Sequence, residues 1–207
     1  MSEVRIAFAG DRAIAVEALR FILCQGTRPL ALFVTEKHRA SHAQQLVDLC
    51  PFLEHDHILE GNQFRELEGL ALLQALSLDY ILCVHFPYIV PPAVLSIPQY
   101  GVLNLHPAYL PYNRGWHTPS WALLEDTPAG ATLHSMDAGV DTGNIIHQKR
   151  LVVSPGDTAH SLYQRLLKLE LEVLQEAWLQ LVAKSFGSRP QNPNEGTVHK
   201  RLSLIHI

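Results

Sequence analysis

Residues 4–9 form a compact apolar run closed by Gly10, and beyond it Ile14, Ala18, Leu19 and Ile22 return at helical spacing. A short apolar run bounded by a turn residue predicts a buried strand, and recurrence at i, i+4 and i+8 predicts an amphipathic helix. The rhythm then repeats. Residues 30–34 read as a strand, Ser41 as the cap of a helix through Gln45, Leu46 and Leu49 that Pro51 ends, and Asn62 as the cap of a helix carrying Phe64, Leu67, Leu70, Leu73 and Leu76. Residues 80–84 and 101–106 read as further buried strands, the second stopped by Pro107. A helix over 120–125 precedes two β-like runs, 131–136 and 145–151, joined by a glycine-containing turn, and a long helix from Asp157 buries Leu162, Leu166, Leu169, Val173, Ala177 and Leu181 on one face. Strands alternating with helices predict an α/β fold with a mostly parallel sheet flanked by helices.

Composition narrows the classes. At 207 residues, 47% hydrophobic and 17% charged, the chain is an ordinary globular one, and a net charge of −4 offers no broad basic field for nucleic acid. Cys24, Cys50 and Cys83 are odd in number and lack metal-ligand spacing, so they read as reduced thiols of a cytoplasmic protein. His55 and His57 alternate without a third ligand in register, so no metal site is expected. No signal peptide or membrane span is expected at the N-terminus. Residues 187–196 are polar and proline-containing, which divides the chain into a catalytic body, 1–186, and a C-terminal arm, 187–207. The apolar 202–207 stretch fits neither and reads either as a segment that packs against a partner or as a truncated or foreign end.

The chemistry concentrates at the end of one predicted strand. Asn104 and His106 lie two apart, so their side chains share a face where open α/β sheets place ligands. An imidazole can remove a proton from an attacking amine, and a carboxamide can stabilise a developing oxyanion. Asp141 lies between Gly139 and Gly143, in a turn that can aim one carboxylate. It is expected to orient His106 and act as its electrostatic partner.

The segments Asn-Leu-His-Pro-Ala-Tyr-Leu-Pro-Tyr-Asn-Arg-Gly, 104–115, and Met-Asp-Ala-Gly-Val-Asp-Thr-Gly-Asn-Ile-Ile, 136–146, resemble the two signature segments of the formyltetrahydrofolate-dependent formyltransferases. The resemblance extends more loosely over residues 4–200. It implies a Rossmann-like formyltransferase domain that moves a formyl group from 10-formyltetrahydrofolate to a primary amine, with Asn104, His106 and Asp141 as the catalytic trio. It assigns the folate to Phe86, Pro87, Tyr88, Ile89 and Val90, and to Asp137, Ala138, Gly139 and Val140. In the same loop it makes Leu110–Pro111 a candidate cis bond. Tyr109, Arg114 and Gly115 are candidate acceptor contacts, Arg as a fork of donors and Tyr as a flat face with a hydroxyl.

Two departures bear on the acceptor: Ala108 stands where many relatives carry Ser, and the separate C-terminal barrel of methionyl-tRNA formyltransferases is not expected here. Residues 190–200 resemble the arm of enzymes that formylate amino sugars carried on nucleotides. The expected acceptor is therefore a nucleotide-linked amino sugar, with glycinamide ribonucleotide as the alternative and a homodimer as the assembly in view. Competing readings are a catalytically inactive folate-binding module, transfer to water, and a dinucleotide-dependent oxidoreductase. The last is disfavoured because residues 9–14 lack the glycine spacing that admits a pyrophosphate.

Overall fold

Strands whose side chains are all apolar can be buried on both faces, which is the condition of a parallel sheet covered by helices. The computed structural model, which describes residues 4–192 and 194–200, places five parallel strands, β1 (Ile6–Gly10), β2 (Ala31–Val34), β3 (Ile58–Glu60), β4 (Tyr80–Val84) and β5 (Val102–His106), of which β1, β2 and β4 are buried throughout. They run parallel in the order β3-β2-β1-β4-β5. Between them come the helices α1 (Arg12–Cys24), α2 (Ala43–Asp48), α3 (Leu67–Ala75) and α4 (Pro92–Leu95). The fold is α/β and Rossmann-like. From β1 the chain runs outward through β2 and β3, then returns to lay β4 on the other side of β1, which makes the β1/β4 boundary the switch point where open sheets bind ligands.

The described chain divides into two compact units, one built on the segment up to Leu105 with Trp178–Phe186, the other on His106–Ala177 with the segment from Gly187 onward. The core of the first is laid down by Phe8, Phe33, Phe64, Leu73 and Ile81, all fully buried. The second holds β6 (Arg114–Gly115), α5 (Thr118–Leu124), an antiparallel pair β7 (Ala129–Ser135) and β8 (Ile145–Leu151), most of α6 (Ala159–Val182), and β9 (Val198–His199), which pairs parallel with β6. The β7–β8 register shifts between Leu133 and His134. Ala108, Leu110 and Ile145 cluster in its core. Thr132 ties the chain after β5 to this pair, its hydroxyl donating to the Ala108 carbonyl at 2.6 Å and accepting from the Leu110 N–H at 3.2 Å. The Leu110–Pro111 bond in that segment is cis.

Three helix starts differ from the sequence expectation, each for a local reason. Ser41 does not cap α2, because its N–H and that of His42 bond the carboxylate of Asp11, at 3.1 and 2.9 Å, and the helix begins at Ala43. The helix expected from Asn62 breaks at Glu66, whose backbone is extended; residues 63–65 form a separate 3₁₀ turn that inserts Phe64 between Phe33 and Phe86, with ring centroids 5.4 Å from each. Leu67 is then left 87% exposed. At α6 the cap is Thr158, not Asp157: Thr158 Oγ1 accepts from Ser161 N–H at 3.1 Å while Ser161 Oγ accepts from Thr158 N–H at 3.0 Å. That reciprocal pair satisfies two N–H groups that the helix start would otherwise leave open. The expected apolar face of α6, from Leu162 to Leu181, is buried. No helix among the described residues is long and apolar enough to cross a membrane. The 202–207 stretch lies outside the described residues.

Candidate active site

β5 carries Asn104 and His106, and Pro107 ends the strand directly after them. Asn104 is partly buried and stands opposite Cys83 of β4 in register. His106 is 6% exposed, and its Nε2 faces two acceptors, the Asn113 carbonyl at 3.3 Å and Asp141 Oδ2 at 3.6 Å. Both neighbours call for a proton, so the neutral ring carries it on Nε2 and keeps the basic lone pair on Nδ1.

Asp141 sits at the second corner. Its carboxylate, 15% exposed, accepts the Gly115 N–H at 2.8 Å through Oδ2 and lies 3.6 Å from His134 Nε2 through Oδ1. Burial works to raise this carboxyl; His106, His134, the Gly115 N–H and the Arg114 charge outweigh it and hold the group below the ordinary carboxylate value. His134 goes the other way. At 1% exposure, desolvation dominates the attraction of Asp141 and takes the imidazole down to about 4, so the ring is neutral at pH 7. Its Nδ1–H donates to the Ser135 carbonyl at 2.8 Å, and its ring stands nearly perpendicular to that of His106.

The glycines around Asp141 work differently from the sequence expectation. A β-carbon on Gly143 would lie 1.8 Å from the Ser135 carbonyl oxygen, and one on Gly139 2.0 Å from Thr142 Oγ1. Both glycines are required by close approach, while the left-handed backbone belongs to Asp141 itself, with φ of 52°. Gly115 combines both needs: its φ is 92°, and a β-carbon there would meet the His199 carbonyl oxygen at 2.2 Å.

The remaining expected residues fall as follows. Asp137, Ala138, Gly139 and Val140 occupy the loop before Asp141, with Asp137 Oδ1 accepting the Gly139 N–H at 2.9 Å and the Thr142 hydroxyl at 2.5 Å; Val140 is exposed. Arg114 donates through Nε and Nη2 to Gln191 Oε1, and Tyr109 packs its ring over Gly130. Phe86, Pro87, Tyr88, Ile89 and Val90 belong to the first unit and follow β4 at the switch point. Phe86 and Tyr88 have ring centroids 5.0 Å apart, the Tyr88 hydroxyl donates to Glu36, and Ile89 is exposed.

His134 and Asn113 escaped sequence reading. His134 lies two residues before the 136–146 segment, and the shift in the β7–β8 register falls at this histidine. Asn113 is buried, has φ of 58°, and anchors its amide to Thr127 at 2.8 Å and its N–H to Thr197 at 2.9 Å, which fixes the carbonyl that faces His106. An Asn beside an Arg-Gly pair was the available signal.

The site is thus a largely buried carboxylate between two imidazoles, and the chain that carries it has relatives among known proteins. The family model described as formyl transferase matches residues 26–178. The methionyl-tRNA formyltransferase of Geobacter sulfurreducens is 32% identical over 181 residues, covering 85% of this chain and 57% of that protein. The chain spans between 57% and 66% of the length of the first three curated relatives it matches. Among solved structures, a sugar N-formyltransferase from a Shewanella species superposes with a TM-score of 0.79 at 18% identity, over 99% of this chain and 82% of that one. A formyltransferase from Anoxybacillus kamchatkensis, in complex with tetrahydrofolate and a UDP-linked formamido sugar, gives 0.68 at 26% identity, over 95% and 85%. With three quarters of its length inside the family model, the chain belongs to the formyl transferase family.

Proposed function

We propose that this protein transfers a formyl group from 10-formyltetrahydrofolate to the primary amine of a nucleotide-linked amino sugar. The observation that carries the reading is the Asp141 carboxylate, held ionised in a largely buried position 3.6 Å from His106 and 3.6 Å from His134. The folate supplies the formyl group on a nitrogen able to leave. His106 accepts, at Nδ1, the proton released as the amine attacks, and its Nε2–H, turned towards Asp141, lets the carboxylate stabilise the imidazolium as it forms. Asn104 donates from its amide to the formyl oxygen as negative charge gathers there. The protonated His106 then returns the proton to the departing folate nitrogen. Residues 86–90 and 137–140 are assigned to the folate donor: the first group follows β4 at the switch point with two adjoining aromatic rings, and the second leads into Asp141. Tyr109, Arg114 and Gly115 are assigned to the acceptor side.

The acceptor is argued from charge and from the arm. A net charge of −4 gives no field for a large polyanion, and residues 197–199 pair with the 114–116 segment, so the arm that resembles that of the sugar-nucleotide enzymes lies beside the residues assigned to the acceptor. The sequence relatives that formylate methionyl-tRNA make that tRNA the second reading. Incubation with 10-formyltetrahydrofolate and a panel of nucleotide-linked amino sugars, glycinamide ribonucleotide and methionyl-tRNA, followed by tetrahydrofolate release and product mass, tests both. A formylated sugar nucleotide is the expected product. Formylated methionyl-tRNA alone would transfer the assignment to the second reading, and folate bound with no transfer to any amine would leave a binding module.

A further inference from the structure

Gln191, in the segment after α6, has a contact set that formyl transfer as described above does not use. Its Oε1 accepts from Arg114 Nε at 3.1 Å and Nη2 at 2.8 Å, and its Nε2 donates to the backbone carbonyls of Asp141 at 2.8 Å and Gly143 at 2.7 Å. Both acceptor positions and both donor positions of one carboxamide are filled. The chain on either side is fastened in turn. Arg189 exchanges two backbone bonds with Ile145, at 2.8 and 2.9 Å, and Thr197 accepts the Asn113 N–H at 2.9 Å just before β9 pairs with β6.

What this amide holds is a residue that does not hold itself. Asp141 adopts φ of 52°, a left-handed conformation that Asp enters more readily than most residues with a β-carbon but that leaves the direction of its side chain to be set by what holds the turn. The Asp141 carbonyl is one of the two that Gln191 bonds, and the Gly143 carbonyl lies across the same turn. On its other side Gln191 anchors the guanidinium whose charge acts on the Asp141 carboxyl. We propose that Gln191 is a positioning residue for formyl transfer: it straps the 141–143 turn through two carbonyls and fixes Arg114 beside it, so that the Asp141 carboxylate is held facing His106. The proposal rests on the functional reading above. Gln191 touches no reacting atom; it acts through Asp141.

The test uses the full chain with two substitutions. Gln191→Glu keeps an acceptor for Arg114 and removes both donors to the turn; Gln191→Met keeps the volume and removes every hydrogen bond. A displaced carboxylate lowers kcat by up to about 100-fold, while KM for the folate donor stays within about threefold because the donor's own contacts are untouched. The acid limb of the kcat profile moves to higher pH, and the ¹³Cγ resonance of Asp141 titrates at higher pH than in the wild type, since the carboxyl loses partners that favour its charged form. If Gln191→Met fails to fold, Gln191→Glu decides. Wild-type kcat with an unmoved Asp141 titration overturns the proposal, and so does a lowered Tm with both unchanged, which marks a structural role alone. Absence of formyl transfer in the wild type would sink the functional reading instead, and the Asp141 titration would then decide the strap by itself.

Discussion

Replacement of Asp141 by Asn keeps the size of the side chain and an oxygen able to accept the Gly115 N–H, and removes the charge. In the wild type that charge lies 3.6 Å from His106 Nε2 in a side chain only 15% exposed. At an effective dielectric constant of about 20, a full charge pair at roughly this distance is worth about 4 kcal/mol. In the proposed mechanism positive charge gathers on His106 as the amine attacks, and the energy that appears with that charge is gained in the transition state. At about 1.4 kcal/mol per tenfold, loss of the carboxylate lowers kcat by two to three orders of magnitude. Single-turnover release of tetrahydrofolate measures the transfer step, and quenching of protein fluorescence measures folate affinity, which stays near wild type. The same experiment with His106→Ala is expected to give a loss at least as large. Turnover within about tenfold of wild type for both variants would remove the carboxylate–imidazole pair from the mechanism.

Three further expectations concern stability. His134 has a folded value of about 4 against an ordinary 6.5, so the unfolded chain takes up a proton between these values and stability falls as pH drops through that window. Between pH 7 and pH 5 this group alone removes about 2 kcal/mol, read as a lower urea midpoint; a His134→Gln variant with the same pH slope as wild type would show that another group is responsible. Asp141, whose value is depressed, acts in the same direction at lower pH: its contribution is present above the ordinary carboxylate range and is lost as pH falls through its folded value. Thr158→Ala removes the side-chain half of the α6 cap and lowers stability by about 1 kcal/mol in urea unfolding, with turnover unchanged; no shift in midpoint would place the cap elsewhere.

Hydrophobic periodicity is a local property, and what depends on it was legible in the sequence. The strands at 6–10, 31–34, 80–84 and 102–106, the buried face of α6 and the α/β class follow from spacing within a few residues. Asn104, His106 and Asp141 stand out in the sequence because their segments are contiguous and chemically distinctive, and the structure sets the His106 and Asp141 side chains 3.6 Å apart. Helix starts were less so, since a cap can come from afar. Asp11 takes the N–H groups of Ser41 and His42 from 30 and 31 residues away, and the leucine spacing through Leu67 carries no sign that Glu66 is extended to let Phe64 reach Phe33.

The sequence by itself determined the class and the family; the tertiary structure decided how the Asp141 carboxylate is held. His134, where the β7–β8 register shifts, faces Asp141 at 3.6 Å, and Gln191 reaches Arg114 and Asp141 across 77 and 50 residues. A hydrogen bond to a backbone carbonyl reads no side chain, so its partner leaves no pattern in the chain. The burial that lowers His134 and the neighbouring charges that hold Asp141 ionised are likewise sums over everything packed around them, and they exist only once the chain has folded.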